Sequence, residues 1–380
     1  MRLAVPREAA PNEARVALVP ETVAKLTNAG AAVSIAAGAG RGAHLSDEAY
    51  REAGASVVDD PAVLLSDADL VVTVGRPSAP VLANMRSGAT ILALLAPLGD
   101  APYVQQLAQR RITALSMDAI PRITRAQSMD ALSSQSNIAG YKAVLLAAVA
   151  LPKFFPMLTT AAGTIPPAKA LILGAGVAGL QAIATARRLG AVVSAYDARA
   201  VVKEQVQSLG ATFLEVDIGG DAEGAGGYAK ELSAEQIDKQ RRFMVQHIGA
   251  SDVVITTALV PGRRAPLLIT EEAIAAMKAG SVIVDLAAEA GGNAALTRKD
   301  ETIVTENGVT IIGTTNLAST MPFDASRLYS RNVYALLGVL LNDGELNLDM
   351  NDEIIRGTTI VHDGEIVHEP TAAALKTTAS

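Results

Sequence analysis

Six residues, Gly174-Ala175-Gly176-Val177-Ala178-Gly179, carry the sharpest chemical signal in the chain. They follow the apolar run Lys169 to Leu173 and open the amphipathic stretch LQAIATARRLG, which is the context in which G-x-G-x-x-G binds a dinucleotide. The first glycine allows a tight turn, the second lets backbone approach a pyrophosphate, and the third lets the helix pack closely on its strand. The helix start then presents unpaired N–H groups and the positive end of a dipole to phosphate oxygens. Asp197 ends the next strand, AVVSAYD, where a carboxylate accepts from the adenosine ribose hydroxyls and repels a 2′-phosphate, so NAD is favoured over NADP. Arg199 and Lys203 follow closely and soften that preference. The plainer alternative is a glycine turn with a surface aspartate.

A second cluster, PRITRAQSMDALSSQSNIAGYKAV, is polar and basic before it turns helical. Arg122 and Arg125 can neutralise pyrophosphate, Gln127 can donate to and accept from a carboxamide, and Asp130 can orient either partner. Read plainly, Ser128 or Asp130 caps the following helix and the arginines sit in solvent.

These groups need a frame. Up to about residue 120, short β-branched runs alternate with helical stretches: strands at Leu3 to Val5, Ala32 to Ala36, Ser56 to Val58, Leu70 to Val74, Thr90 to Leu95 and Ile112 to Leu115. Pro20 marks a first helical position with Gly30 closing that helix, and Ser46 caps a segment closed by Gly54. A second series, KALILGAG, AVVSAYD, ATFLEV, DVVITTAL, SVIVDLA and VTIIGTT, consists of continuous apolar runs, as expected of strands covered on both faces. Alternation of this kind predicts α/β architecture: two Rossmann-like, doubly wound parallel-sheet domains joined by long helices. The helical RLYSRNVYALLGVLL and a hairpin at Asp363-Gly364 end the chain and can return to the first lobe. The expected division is a discontinuous first domain, 1–127 with 327–380, and a nucleotide-binding domain, 128–326. The Gly-rich, acidic stretch from 217 to 233 reads as a mobile surface loop.

Composition excludes several classes. The net charge is −7 with Lys and Arg scattered, so nucleic acid is not an expected partner. There is no cysteine, and the four histidines (His44, His247, His362, His368) have no metal-ligand spacing, so no metal site is expected. MRLAVPREAA contains no signal-peptide core, and the apolar stretch Ala143 to Leu151 is well short of the ~20 residues that span a bilayer. A cytoplasmic protein that does not itself enter the membrane is expected.

The two clusters resemble the NAD(H)-binding component of the proton-translocating nicotinamide nucleotide transhydrogenases. So do VPREAAPNEARVALVPETVAKL, TAAGTIPPAKALILGAGVAGLQAIATARRLGAVVSAYDARAVVKEQVQSLG, AGGYAKE and VIVDLAAEAGGN, nearly end to end. The scaffold is shared with alanine dehydrogenase. The resemblance implies that Arg122, Gln127, Asp130 and Ser133 stand at the nicotinamide end of the cofactor, and that Tyr228 closes over bound nucleotide. With these go cofactor contacts at Gly174, Gly176, Val177, Ala178, Gly179, Asp197, Ala198, Thr257 and Leu259. It implies a homodimer, peripheral at the cytoplasmic membrane. Its partners are a membrane-spanning proton-channel subunit and a subunit carrying NADP(H), expected on other polypeptides because this sequence has no spans and no second fingerprint.

The departures bear on the choice of chemistry. Alanine dehydrogenases use a lysine and a histidine of the first domain for substrate and proton; the corresponding positions here are Thr73 and Leu94. Oxidising an amine removes a proton as well as a hydride and needs a positioned acid or base. Transfer between two nicotinamides needs only juxtaposition. Arg15, common to both groups, discriminates nothing and reads as a structural salt bridge. A dehydrogenase with altered substrate residues and a non-catalytic NAD sensor are the rival readings.

Overall fold

In the computed structural model, which describes residues 1–216, 234–260, 262–342 and 344–378, the chain divides into two compact units. The first comprises Met1–Gln135 and Ala318–Ser380, the second Ser136–Leu317. The division falls within the helix Ala131–Ala150 rather than ahead of it.

The sheet of the first unit has eight strands. Their spatial order is Glu365–Ile366, Thr359–His362, Thr113–Ser116, Thr90–Ala93, Leu70–Val72, Arg2–Val5, Ala32–Ala36 and Ser56–Val58. All neighbours are parallel except the two C-terminal strands, which pair antiparallel. Asp363 and Gly364 both take positive φ, 49° and 85°, the backbone a two-residue hairpin needs. Two apolar clusters cover the two faces, one around Leu18, Tyr50 and Tyr329, the other around Leu82, Leu95 and Leu107. The helix Pro20–Asn28 begins with its proline in the first turn, and Ser46 caps Asp47–Glu52 by accepting from the Ala49 amide.

In the second unit seven strands run in the order Thr212–Phe213, Val192–Tyr196, Lys169–Leu173, Val253–Thr256, Val282–Asp285, Thr310–Ile312 and Thr302–Val304. Only the last is antiparallel. The three central strands are almost wholly buried, which accounts for their unbroken Val, Ile and Leu. Chain order reverses between Lys169–Leu173 and Val253–Thr256, so the crevice beyond their carboxyl ends is the topological switch point. The hairpin Leu158–Thr160/Gly163–Ile165 and the strand Thr302–Val304 have no counterpart in the strands read from sequence. Both are short, and Thr302 and Val304 are exposed, so no apolar run marks them.

Candidate functional site

The glycine turn sits at this switch point. Gly174 has φ +96°, and a Cβ there would stand 2.5 Å from the Thr257 hydroxyl. A Cβ on Gly179 would run into the Gly174 carbonyl oxygen, so the helix Val177–Arg188 can lie against its strand only because this residue is glycine. Gly140, on the second-unit portion of the long helix, makes a similarly close approach to the Ala178 backbone. At Gly176 the situation is opposite: a Cβ would meet nothing within 4 Å. Gly176 is also the N-cap, and no side chain caps the helix. The open space is therefore in front of uncapped N–H groups, the cradle a pyrophosphate requires.

Asp197 follows the strand Val192–Tyr196 and is nearly buried. Its Oδ2 accepts from the Ala175 amide at 2.7 Å, and its Oδ1 from the Arg199 amide at 2.8 Å. The Arg199 guanidinium adds two more bonds at 3.0 Å. Burial alone would raise the Asp197 pKa, but the bonds from Arg199 and Ala175 outweigh it and hold the carboxyl below its ordinary value. All four acceptor positions are filled, two of them by a side chain that is 59% exposed. A ribose can reach this carboxylate by exchanging with the guanidinium. The remaining second-unit candidates surround the turn: Val177, Ala198 and Leu259 are exposed, and Ala178 is half-buried. The Thr257 hydroxyl lies 3.2 Å from the Gly174 carbonyl, tying the two strand ends together.

The other candidates belong to the first unit. Thr124–Met129 forms a 3-10 turn, and Asp130 starts the long helix, accepting from the Ser133 amide at 2.8 Å and the Ser133 hydroxyl at 2.5 Å. Asp130 is thus a helix cap whatever else it does. Arg125 forms a bidentate pair with Asp352 at 2.8 and 2.7 Å. The exposed side chains of Arg122 and Gln127 make no hydrogen bond or ion pair among the described residues. Tyr228 and the stretch 217–233 lie outside the described residues.

The positions of the missing dehydrogenase pair face inward. Thr73 is 2% exposed and donates to the Gly75 carbonyl at 2.7 Å, while Leu94 packs against the core. Arg15 pairs with Glu13 and donates to Gln135 at 2.9 Å. Glu8 stands beside Thr73 and escaped sequence reading, since one glutamate after a strand carries no pattern. It accepts from the Val74 amide at 2.6 Å, and burial pushes its carboxyl up to about 7 against those backbone bonds.

Two family descriptions match the chain: alanine dehydrogenase/PNT, N-terminal domain, over residues 4–139, and alanine dehydrogenase/PNT, C-terminal domain, over residues 143–369. The chain belongs to the alanine dehydrogenase/PNT family. Within that family it is similar to the first part of NAD(P) transhydrogenase subunit alpha of Rhodospirillum rubrum, at 48% identity over 377 residues, 97% of this chain and 98% of that protein. The crystal structure of transhydrogenase from Sinorhizobium meliloti superimposes with a TM-score of 0.85 at 42% identity, covering 97% of this chain and 99% of that one. An L-alanine dehydrogenase structure gives 0.81 at 25% identity, covering 99% of each. The two Rossmann-like units are the architecture of both branches of the alanine dehydrogenase/PNT family, and identity is higher on the transhydrogenase side. No helix among the described residues is long and apolar enough to cross a membrane.

Proposed function

We propose that this chain is the NAD(H)-binding subunit of a proton-translocating nicotinamide nucleotide transhydrogenase. On this reading it works beside a subunit carrying NADP(H) and a membrane-spanning subunit that conducts protons, as a homodimer at the cytoplasmic face of the membrane. The observation that carries the reading is that Thr73 and Leu94, standing where the dehydrogenase branch has its lysine and histidine, are a hydroxyl donated to the Gly75 carbonyl and an apolar side chain packed on the core. NADH supplies the hydride and NADP⁺ on the partner accepts it. For this chain the work is binding and orientation. The N–H groups ahead of Val177 hold pyrophosphate, and Asp197 holds the adenosine ribose. Ala198, Thr257, Leu259 and Tyr228 complete the cofactor contacts. Arg122 and Gln127, whose exposed side chains have no partner among the described residues, orient the nicotinamide end, and Asp130 and Ser133 fix the turn that carries them.

The test is stopped-flow hydride transfer. The purified chain is expected to bind NADH, to leave pyruvate and other 2-oxo acids with ammonia unreduced, and to reduce NADP⁺ once an NADP(H)-binding partner is added. Robust turnover of a 2-oxo acid by the chain alone would overturn the proposal.

A further inference from the structure

Asn293 is fully buried, and every valence of its amide is used within the second unit. Its Oδ1 accepts from the Thr256 hydroxyl at 2.6 Å and the Ala258 amide at 3.1 Å. Its Nδ2 donates to the Ala258 carbonyl at 2.9 Å and the Pro266 carbonyl at 2.8 Å. One side-chain amide therefore holds both the N–H and the C=O of Ala258, as a neighbouring strand would. The next residue back, Thr257, rests on the glycine turn: its amide donates to Leu173 at 2.9 Å. Asn293 is fixed in turn by Asp285, also fully buried, whose Oδ2 accepts from the Asn293 amide at 2.7 Å, the Ala294 amide at 3.0 Å and the Thr297 hydroxyl at 2.6 Å. Gly292, with φ +80°, makes the turn between them, and a Cβ there would stand 2.9 Å from that oxygen.

Aspartate and asparagine thus form two tiers beneath one wall of the crevice. Buried amides and carboxylates are costly unless fully bonded, and here both are satisfied, so they brace the wall from beneath. A dinucleotide at a switch point divides between the flanking strands. The adenosine half lies on the side of Val192–Tyr196 with Asp197, the nicotinamide half on the side of Val253–Thr256. Ala258 belongs to the second side. We propose that Asn293 is a positioning residue for the nicotinamide half: it touches no nucleotide itself, but sets the Thr257–Leu259 backbone against which that half is placed. The inference rests on the NAD(H) reading above.

Calorimetric titration with NADH and with ADP, which carries only the adenosine half, separates this role from general support of the fold. Asn293→Ala is expected to weaken NADH about tenfold while ADP binding stays within about twofold of wild type. Thr256→Val removes one donor to Asn293 with little change of shape; it should shift NADH alone in the same direction, by about threefold. Amide hydrogen exchange at Ala258 should quicken in both variants without nucleotide. Parallel losses of NADH and ADP affinity, or NADH binding unchanged in Thr256→Val and in Asn293→Ala if that variant folds, would overturn the assignment. Wild-type protein that binds neither ligand would instead defeat the NAD(H) reading, and the role of Asn293 with it.

Discussion

The carboxylate of Asp197 is not waiting empty for a ribose. Arg199 already supplies three of its four hydrogen bonds, two of them from the guanidinium, and that cation would attract a 2′-phosphate. The guanidinium end of the pair is 59% exposed, so it can turn into solvent when a ribose hydroxyl takes its place on the carboxylate. Arg199→Ala should therefore leave NADH binding unchanged or up to about threefold tighter and weaken NADPH, widening selectivity in titrations with both nucleotides. Tighter NADPH binding in that variant would refute the exchange. Glu8 makes a second prediction. Its folded pKa, about 7, lies above the ordinary 4.5, so its contribution to stability is fully present below about 4.5 and is lost as pH rises through about 7. Glu8→Gln mimics the protonated carboxyl and should flatten the stability profile across that window, by about 2 kcal/mol after allowance for partial exposure, in denaturant melts from pH 4 to 8. An unchanged profile would place the titration elsewhere. The sequence made Asp197 legible because strand, turn and carboxylate form a spaced pattern. It hid Glu8 and Asn293 because burial and partners decide their roles, and those come from segments far apart in the chain.

At the level of elements, the two outer glycines of the fingerprint have structural reasons that separate from the middle one. Gly179 permits contact between helix and strand, whereas Gly176 borders open space and has φ −77°, a value any residue adopts. Gly179→Ala should destabilise the second unit by ~1–3 kcal/mol, as overpacking does. Gly176→Val should leave the melting temperature within a few degrees of wild type yet, on the proposed function, weaken NADH at least about tenfold, because its side chain enters the open space at the helix start proposed for phosphate. Thermal melts paired with NADH titration check both. A Gly176→Val protein that binds NADH normally would remove the pyrophosphate from this helix. Such elements were readable where local chemistry agreed with the fold: Pro20 at a helix start, Ser46 as a cap, and Asp363-Gly364 in a hairpin. They were not readable at Thr302–Val304, an edge strand held by register with Thr310–Ile312 rather than by its own apolar pattern. The predicted strand Leu70 to Val74 ends at Val72; beyond it the Val74 amide donates to Glu8 while its carbonyl still accepts from Leu94.

Across the whole molecule, the candidates fall in two units that can be perturbed one at a time. Arg122, Gln127, Asp130 and Ser133 belong to the first, the glycine turn and Asp197 to the second. If the proposed function holds, the second unit sets affinity and cofactor choice, and the first-unit loop acts on the transfer step. Asp130 alone carries two duties, because its carboxylate caps the long helix; an Asp130 substitution costs ~0.5–2 kcal/mol of stability as well as any rate. Gln127 is the cleaner probe, being exposed and without side-chain partners among the described residues. Gln127→Ala should slow hydride transfer to a partner-bound NADP⁺ by about 10- to 100-fold, ~1.4–2.7 kcal/mol of barrier, with NADH affinity changed less than about threefold. Asp197→Asn should show the reverse, weaker NADH with a transfer rate near wild type at saturation. Combining the two should give losses that add, since residues acting on different quantities without shared partners are additive within ~0.5 kcal/mol. Stopped-flow transfer at saturating NADH, with calorimetry on the same four proteins, measures each quantity separately. A Gln127→Ala rate equal to wild type would take the loop out of the transfer step. A double variant far from the sum would mean that the two units share one task.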